Sequence, residues 1–277
     1  MPVVLMVTNR NARFQQWQAL LTNRRKRNQT GEFIVAGIRP LTLAVEYGWP
    51  IRTWLAPLDA KLSAWAKELL DRVDVRVVQV APELLRELGN TPDHEPGSPD
   101  LLAVAKILPD ELGQIDLPES NGLVVVFDQP SSPINVGTVI RSADAFEASG
   151  VIVTGHSVDV YDPQTIRAST GSLFAVPVVR QVSHKEVVGW AREQGLRIVG
   201  VDPAGIVDVD TYDLTGPTLL VIGNETRGMT AGWREVCDVI VRVPAGGSAG
   251  TIGTPTTAGV VLYETARQRR TTRATAT

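Results

Sequence analysis

The 277-residue chain holds one cysteine, Cys237, and three widely separated histidines, His94, His156 and His184. A single thiol excludes an intrachain disulfide, and no Cys/His set has zinc spacing, so no metal is expected. No stretch reaches the ~18 consecutive apolar residues of a membrane-crossing helix. The apolar start, residues 1–6, is too short for a secretion signal and is followed closely by Asn9, Arg10 and Asn11. On these absences the expected compartment is cytoplasmic. Also missing are the G-x-G-x-x-G fingerprint of a dinucleotide site and the phosphate-binding P-loop. Their absence argues against an enzyme built around a nicotinamide cofactor. Charge of one sign is not in excess either: the formal net charge is −3, which argues against a general nucleic-acid binder.

What is present describes a folded chain of two domains. Hydrophobic residues make up 43% and charged residues 21%, a globular composition, and the length suits about two domains of 100–200 residues each. In residues 1–108, short apolar strands alternate with helical segments, as in an α/β unit. Residues 14–21 put Phe14, Trp17, Leu20 and Leu21 on one helical face. Residues 89–100 form a polar loop rich in Pro and Gly, and residues 109–121, acidic and containing Pro118, form the expected interdomain linker. The second domain spans residues 122–277. Its strands at 122–128 and 218–222 are nearly all apolar, the pattern of strands in a parallel sheet covered on both faces.

The neutral average hides a basic N-terminus. Up to Arg39 there are seven Lys/Arg (Arg10, Arg13, Arg24, Arg25, Lys26, Arg27 and Arg39) against one acid, Glu32. Such a cluster is the footprint of a phosphate backbone, or else a solvated helix face.

Three strand-end segments of the second domain carry the chemistry, since open α/β sheets bind ligands outside the carboxyl ends of their strands. The first leads from Asp128 through Ser131, Ser132 and Asn135 to a helix expected at 136–148. There Gly137 and Arg141 stand four apart on one face, and Gly137 leaves room for a substrate. Asn135 alone reads equally as a helix cap, and Arg141 alone as half of an ordinary ion pair. The second is Ile222-Gly223-Asn224-Glu225-Thr226-Arg227-Gly228. Here Gly223 allows close approach of a ligand to backbone. Glu225 is either a site residue or an acid favoured at a helix start. The third joins Val243 and Pro244 to Thr251, Ile252, Gly253 and Pro255 through a glycine-rich loop that leaves backbone groups open to a ligand.

Together these segments resemble the SpoU-type RNA 2'-O-ribose methyltransferases of the SPOUT superfamily over residues 122–270. The matching stretches are residues 135–141, residues 222–228 and the Val243-Pro244 start of the third. Residues 167–172 also resemble the family, and residues 33–40 look like the L30e-like substrate-binding domain that precedes this fold. The resemblance implies an α/β chain: an L30e-like domain at 1–108, then a parallel-sheet SPOUT domain closed by a deep trefoil knot. It implies S-adenosylmethionine held by Ile222, Gly223, Val243, Thr251 and Ile252, and a homodimer. Arg141 would be the catalytic arginine, with Asn135 and Glu225 beside it. The substrate would be structured RNA, foremost 23S ribosomal RNA with antibiotic resistance as a role, gripped by Arg10, Arg13, Arg24, Arg25, Lys26 and Arg27. Rival readings are a transfer-RNA methyltransferase and an RNA-binding protein that has lost catalysis. The latter is suggested by Gly253, which stands where the family's third motif carries asparagine.

Overall fold

The computed structural model describes residues 5–89, 99–118, 120–181, 183–249 and 252–275. In chain order the elements are β1 (Leu5–Val7), α1 (Ala12–Thr22), α2 (Arg24–Thr30), β2 (Glu32–Ala36), α3 (Ile38–Glu46), β3 (Ile51–Pro57), α4 (Ala64–Arg72), β4 (Arg76–Val80), α5 (Pro82–Gly89) and β5 (Leu102–Lys106). They continue with β6 (Leu123–Phe127), α6 (Pro133–Ala145), β7 (Gly150–Thr154), α7 (Pro163–Ser169), α8 (Ser172–Ala175), β8 (Val178–Gln181), α9 (His184–Glu193), β9 (Arg197–Val201), β10 (Val207–Asp208), β11 (Thr218–Ile222), α10 (Ala231–Val236), β12 (Val239–Arg242) and α11 (Thr254–Thr275). No helix among the described residues is long and apolar enough to cross a membrane.

The first unit comprises the described residues up to Leu108 together with Tyr161–Ala175. Its sheet has the order β1-β4-β3-β5-β2, with β5 antiparallel to both β3 and β2 and the other pairings parallel. The apolar face of α1 buries Phe14, Trp17 and Leu20 against Leu55, Val78, Leu85 and Val104. The basic stretch after it is a helix, α2, with no apolar period. Its ends are set instead by capping: the Asn23 side chain accepts from the Lys26 amide, and Gly31 closes the helix in the left-handed region at φ 65°.

The second unit comprises the described residues of Pro109–Val160 and Val176–Thr277. Its seven strands run β10-β12-β9-β11-β6-β7-β8, every pairing parallel. Every residue of β6, β7 and β11 is buried, as a sheet covered on both faces demands.

Two boundary expectations are corrected. Residues 109–121 are not a free linker: Ile115 is buried in the core of the second unit, and Asp110 accepts the backbone N–H and Nε of Arg180 at 2.9 and 3.0 Å. Nor is the stretch from 122 onward one block. Tyr161 and Phe174 pack on Phe33 with ring centroids 4.7 and 6.3 Å away, and Phe174 meets Trp49 edge-on at 5.1 Å. The α7–α8 segment therefore completes the aromatic core of the first unit.

Candidate active site

Because the sheet is parallel, the carboxyl ends of β6, β11, β9 and β12 share one edge. Asp128, Gly223, Asp202 and Val243 follow those strands there. The edge of such a sheet is where strand polarity and loop amides collect a ligand.

Helix α6 starts at Pro133, three residues earlier than its apolar period suggests, because Ser132-Pro133 is a cap followed by the residue favoured at the first helical position. Ser132 Oγ accepts from the Asn135 amide at 3.3 Å. Ser132, not Asn135, is thus the cap, which leaves the Asn135 side chain free to donate through Nδ2 to Glu225 Oε1 at 3.0 Å. The rest of the Glu225 carboxylate is also occupied. Oε2 accepts from the Ser131 amide and hydroxyl at 2.9 and 2.7 Å, and Oε1 accepts from the Ser132 amide at 3.2 Å. Glu225 therefore sits against the start of α6, where free amides favour an anion, and not at the start of α10. Burial pushes its carboxyl up, but the bonds from Ser131, its own backbone and Asn135 outweigh that and hold it below the usual glutamate range. A carboxylate so stabilised is a poor proton acceptor and a good clamp. Ser131 and Ser132, which the motifs leave out, bind the Glu225 carboxylate, and a Ser-Ser-Pro run before a helix signals the cap.

Arg141, two turns along α6, is exposed and makes no hydrogen bond or ion pair with other described residues. The ordinary ion-pair explanation is thereby removed, and the guanidinium faces solvent. Gly137 is buried within α6.

Gly223 carries a different constraint from the one its motif suggests. A Cβ there would lie 2.3 Å from the Met229 nitrogen and 2.4 Å from the Gly228 carbonyl carbon. The loop's own return crosses over Gly223, so the glycine serves the loop's closure as well as any ligand. Asn224 ties that loop: its N–H and C=O pair with Gly228 at 3.0 Å each way, and its Oδ1 accepts from the Thr226 and Arg227 amides at 2.9 and 3.1 Å.

Beyond β12, Val243 is half-buried and residues 244–249 are exposed, with no hydrogen bond to other described residues. Ile252 is 39% exposed. Open backbone donors and acceptors and a partly exposed apolar side chain are groups that a small-molecule site uses. Thr251 lies outside the described residues. Gly253 adopts φ 77°, and a Cβ there would meet nothing within 4 Å.

In the first unit the basic cluster divides. Arg25 is exposed, and Arg13, Arg24 and Lys26 are half-buried. Arg10 is exposed and pairs with Glu87 at 2.9 Å. Arg27 is the exception to the expected RNA grip: it is 2% exposed. Its guanidinium donates to the carbonyls of Leu20 and Leu21 at 2.7 and 3.3 Å and to Asp162 at 3.4 Å. It is a structural residue of this unit. Burial also pushes the Cys237 thiol up to about 11, so the one cysteine stays protonated near neutral pH.

The second unit is an all-parallel α/β sheet with an asparagine–glutamate clamp, an exposed arginine and an open loop following its strands, the class of fold that binds ligands at the carboxyl ends of its strands. Residues 122–263 match the SpoU rRNA Methylase family, and residues 11–103 match the SpoU L30e-like domain. The chain belongs to the SpoU rRNA methylase family. It is 49% identical, over 97% of its length and 94% of the relative's, to the 23S rRNA (uridine(2479)-2'-O)-methyltransferase of Streptomyces viridochromogenes. Among solved structures it superposes with TM-score 0.88 and 47% identity on the SpoU methyltransferase AviRb of that organism in complex with AdoMet, covering 94% of this chain and 99% of the other. It also superposes with TM-score 0.84 and 26% identity on an AdoMet-bound rRNA methyltransferase from Sinorhizobium meliloti, covering 95% and 98%.

Proposed function

We propose that this chain, as a homodimer, transfers the methyl group of S-adenosylmethionine to a ribose 2'-hydroxyl of 23S ribosomal RNA. The observation that carries it is the clamp of Glu225 on Asn135, with the exposed Arg141 further along the same helix, in a chain 49% identical to a 23S rRNA uridine 2'-O-methyltransferase. The deep trefoil knot of the family fold belongs to the same proposal.

When bound, S-adenosylmethionine supplies a methyl group already activated on a sulfonium. Ile222, Gly223, Val243, Thr251 and Ile252 would hold it, mainly through backbone. The protein must then orient the hydroxyl and stabilise charge as it becomes an alkoxide. Arg141 suits that task, because a guanidinium is planar, always protonated and matched to phosphate and oxyanion geometry. For the same reason it is no base. Glu225 is no base either, with both oxygens engaged. The hydroxyl proton leaves to water or to a phosphate oxygen.

Arg10, Arg13, Arg24, Arg25 and Lys26 would hold RNA phosphates in the first unit, without Arg27. The homodimer has its support in Ile134, Val260 and Tyr263. These stay 54%, 36% and 50% exposed on α6 and α11, helices that pack against each other.

The test is calorimetric titration with S-adenosylmethionine, then transfer of labelled methyl to 23S rRNA and mapping of the modified ribose. Saturable binding with a single 2'-O-methylated nucleotide is expected. Binding without transfer to 23S rRNA overturns the proposal, with transfer to tRNA marking the other substrate. Absence of cofactor binding, alone and with RNA, marks a protein that has lost catalysis.

A further inference from the structure

The clamp on Asn135 depends on two connections that leave different strands, the 128–132 loop between β6 and α6 and the 223–230 loop after β11. Neither loop is part of a helix or of the main sheet. A circuit of hydrogen bonds joins them. Asp128, 2% exposed, accepts the Thr154 hydroxyl on Oδ1 and the Thr230 amide on Oδ2, both at 2.8 Å. Thr154 Oγ1, buried at the end of β7, accepts in turn from the Gln129 amide at 3.1 Å. Gln129 is held at φ 47°, a left-handed conformation unusual for its side chain. Its carbonyl accepts Asn224 Nδ2 at 2.6 Å.

We propose that Thr154 and Asp128 are positioning residues for methyl transfer, joining the ends of β6 and β7 to the 223–230 loop so that Glu225 meets Asn135. The proposal rests on the methyltransferase reading above and adds two residues that no motif contains. The Thr154 hydroxyl is its keystone, because it donates to Asp128 and accepts from Gln129 at once. The buried Asp128 carboxylate and the Gln129 amide would each lose a partner without it, and loops in that state drift. Since the reacting atoms depend on alignment, small drifts act on the rate of the bound complex and leave first binding largely unchanged.

The experiment compares Thr154→Val, Thr154→Ala and Thr154→Ser with the parent protein. Valine keeps the volume, alanine leaves a small void, and serine keeps the hydroxyl. Thr154→Val and Thr154→Ala are expected to lower kcat about ten-fold with KM for RNA nearly unchanged, and Thr154→Ser to recover most of that loss. The two hydroxyl-free variants should share the kcat loss even where their Tm values differ, which separates positioning from stability. Amide hydrogen exchange on the ligand-free protein should quicken at residues 224–230 in both hydroxyl-free variants and not in Thr154→Ser. Parental kcat in Thr154→Val or Thr154→Ala overturns the proposal, as does equal loss in all three variants or unchanged exchange at 224–230. The exchange arm needs no activity, so it tests the circuit even if the parent proves inactive on RNA, an outcome that instead removes the proposed function.

Discussion

Glu225 Oε1 accepts the side-chain amide of Asn135 at 3.0 Å, across 90 positions of sequence. The carboxylate is held below its ordinary value, about 4.3 for glutamate, by the bonds from Ser131 and Asn135 despite the opposing effect of burial. A lowered native value favours the ionised native state. Its contribution to stability is therefore full above the unfolded value and is lost as pH falls through the native one. In denaturant melts, the stability gap between the parent and Glu225→Gln should be widest at neutral pH and close on acidification below about pH 4. A gap independent of pH would show that the charge of Glu225 is not what matters.

Arg141 answers to a different measurement. Arg141→Lys keeps the charge and loses the planar fork, so transfer should fall about 100-fold, while the affinity for S-adenosylmethionine stays as in the parent. Full activity in the lysine variant would refute the role of fork geometry.

Arg27 and its neighbours should separate by assay. Removing the buried Arg27 leaves two carbonyls and Asp162 without their donor, a loss of about 2–4 kcal/mol in denaturant stability. Replacing both Arg25 and Lys26 with alanine should leave stability alone and lower the salt dependence of RNA binding by about one unit of slope per phosphate contact. An unchanged slope would remove them from the interface.

Arg24, Arg25, Lys26 and Arg27 look alike in a sequence, since charge density says nothing of which side chain turns inward. The same limit explains what else was and was not legible. The cores of β6 and β11 could be read because short, almost unbroken apolar runs suit a strand covered on both faces. Helix α2 has no such period, being held by caps at Asn23 and Gly31. Asn135, Arg141 and Glu225 were legible as motif residues, but their division of labour was not. That Ser132 takes the cap and releases Asn135 for Glu225 depends on where α6 starts. Gly223 was legible as a glycine needed for close approach. Only the folded loop reveals that the approaching group is the backbone of Gly228 and Met229.

The two glycines of the ligand loops predict opposite tolerances. Gly223→Ala must displace backbone 2.3 Å away and should lower both Tm and cofactor affinity. Gly253→Asn meets nothing within 4 Å and needs only φ 77°, which asparagine accepts more readily than most residues. It should fold with a Tm near the parent's, and calorimetry would show whether the amide tightens cofactor binding. A folded, tightly binding Gly223→Ala would contradict the steric account.

The exposed apolar stripe of α6 and α11 can be tested by charge. Val260→Glu, on the outer face of α11, should halve the mass seen by light scattering at micromolar concentration while leaving the fold intact by circular dichroism. A monomeric parent would dispose of the homodimer directly.

Phe33, Trp49 and Arg27 take partners from the stretch 161–175, inside what reads as the other half of the chain. The covalent path therefore passes between the two units three times, not once. A gene encoding only residues 1–108 would yield a product with an open aromatic seat and an uncompensated guanidinium. A recombination event that exchanged the first unit at a single junction would join each seat to a stranger's plug. The units are thus inheritable together but not interchangeable as cassettes, and variation at Phe33 or Trp49 should be matched by variation at Tyr161 and Phe174.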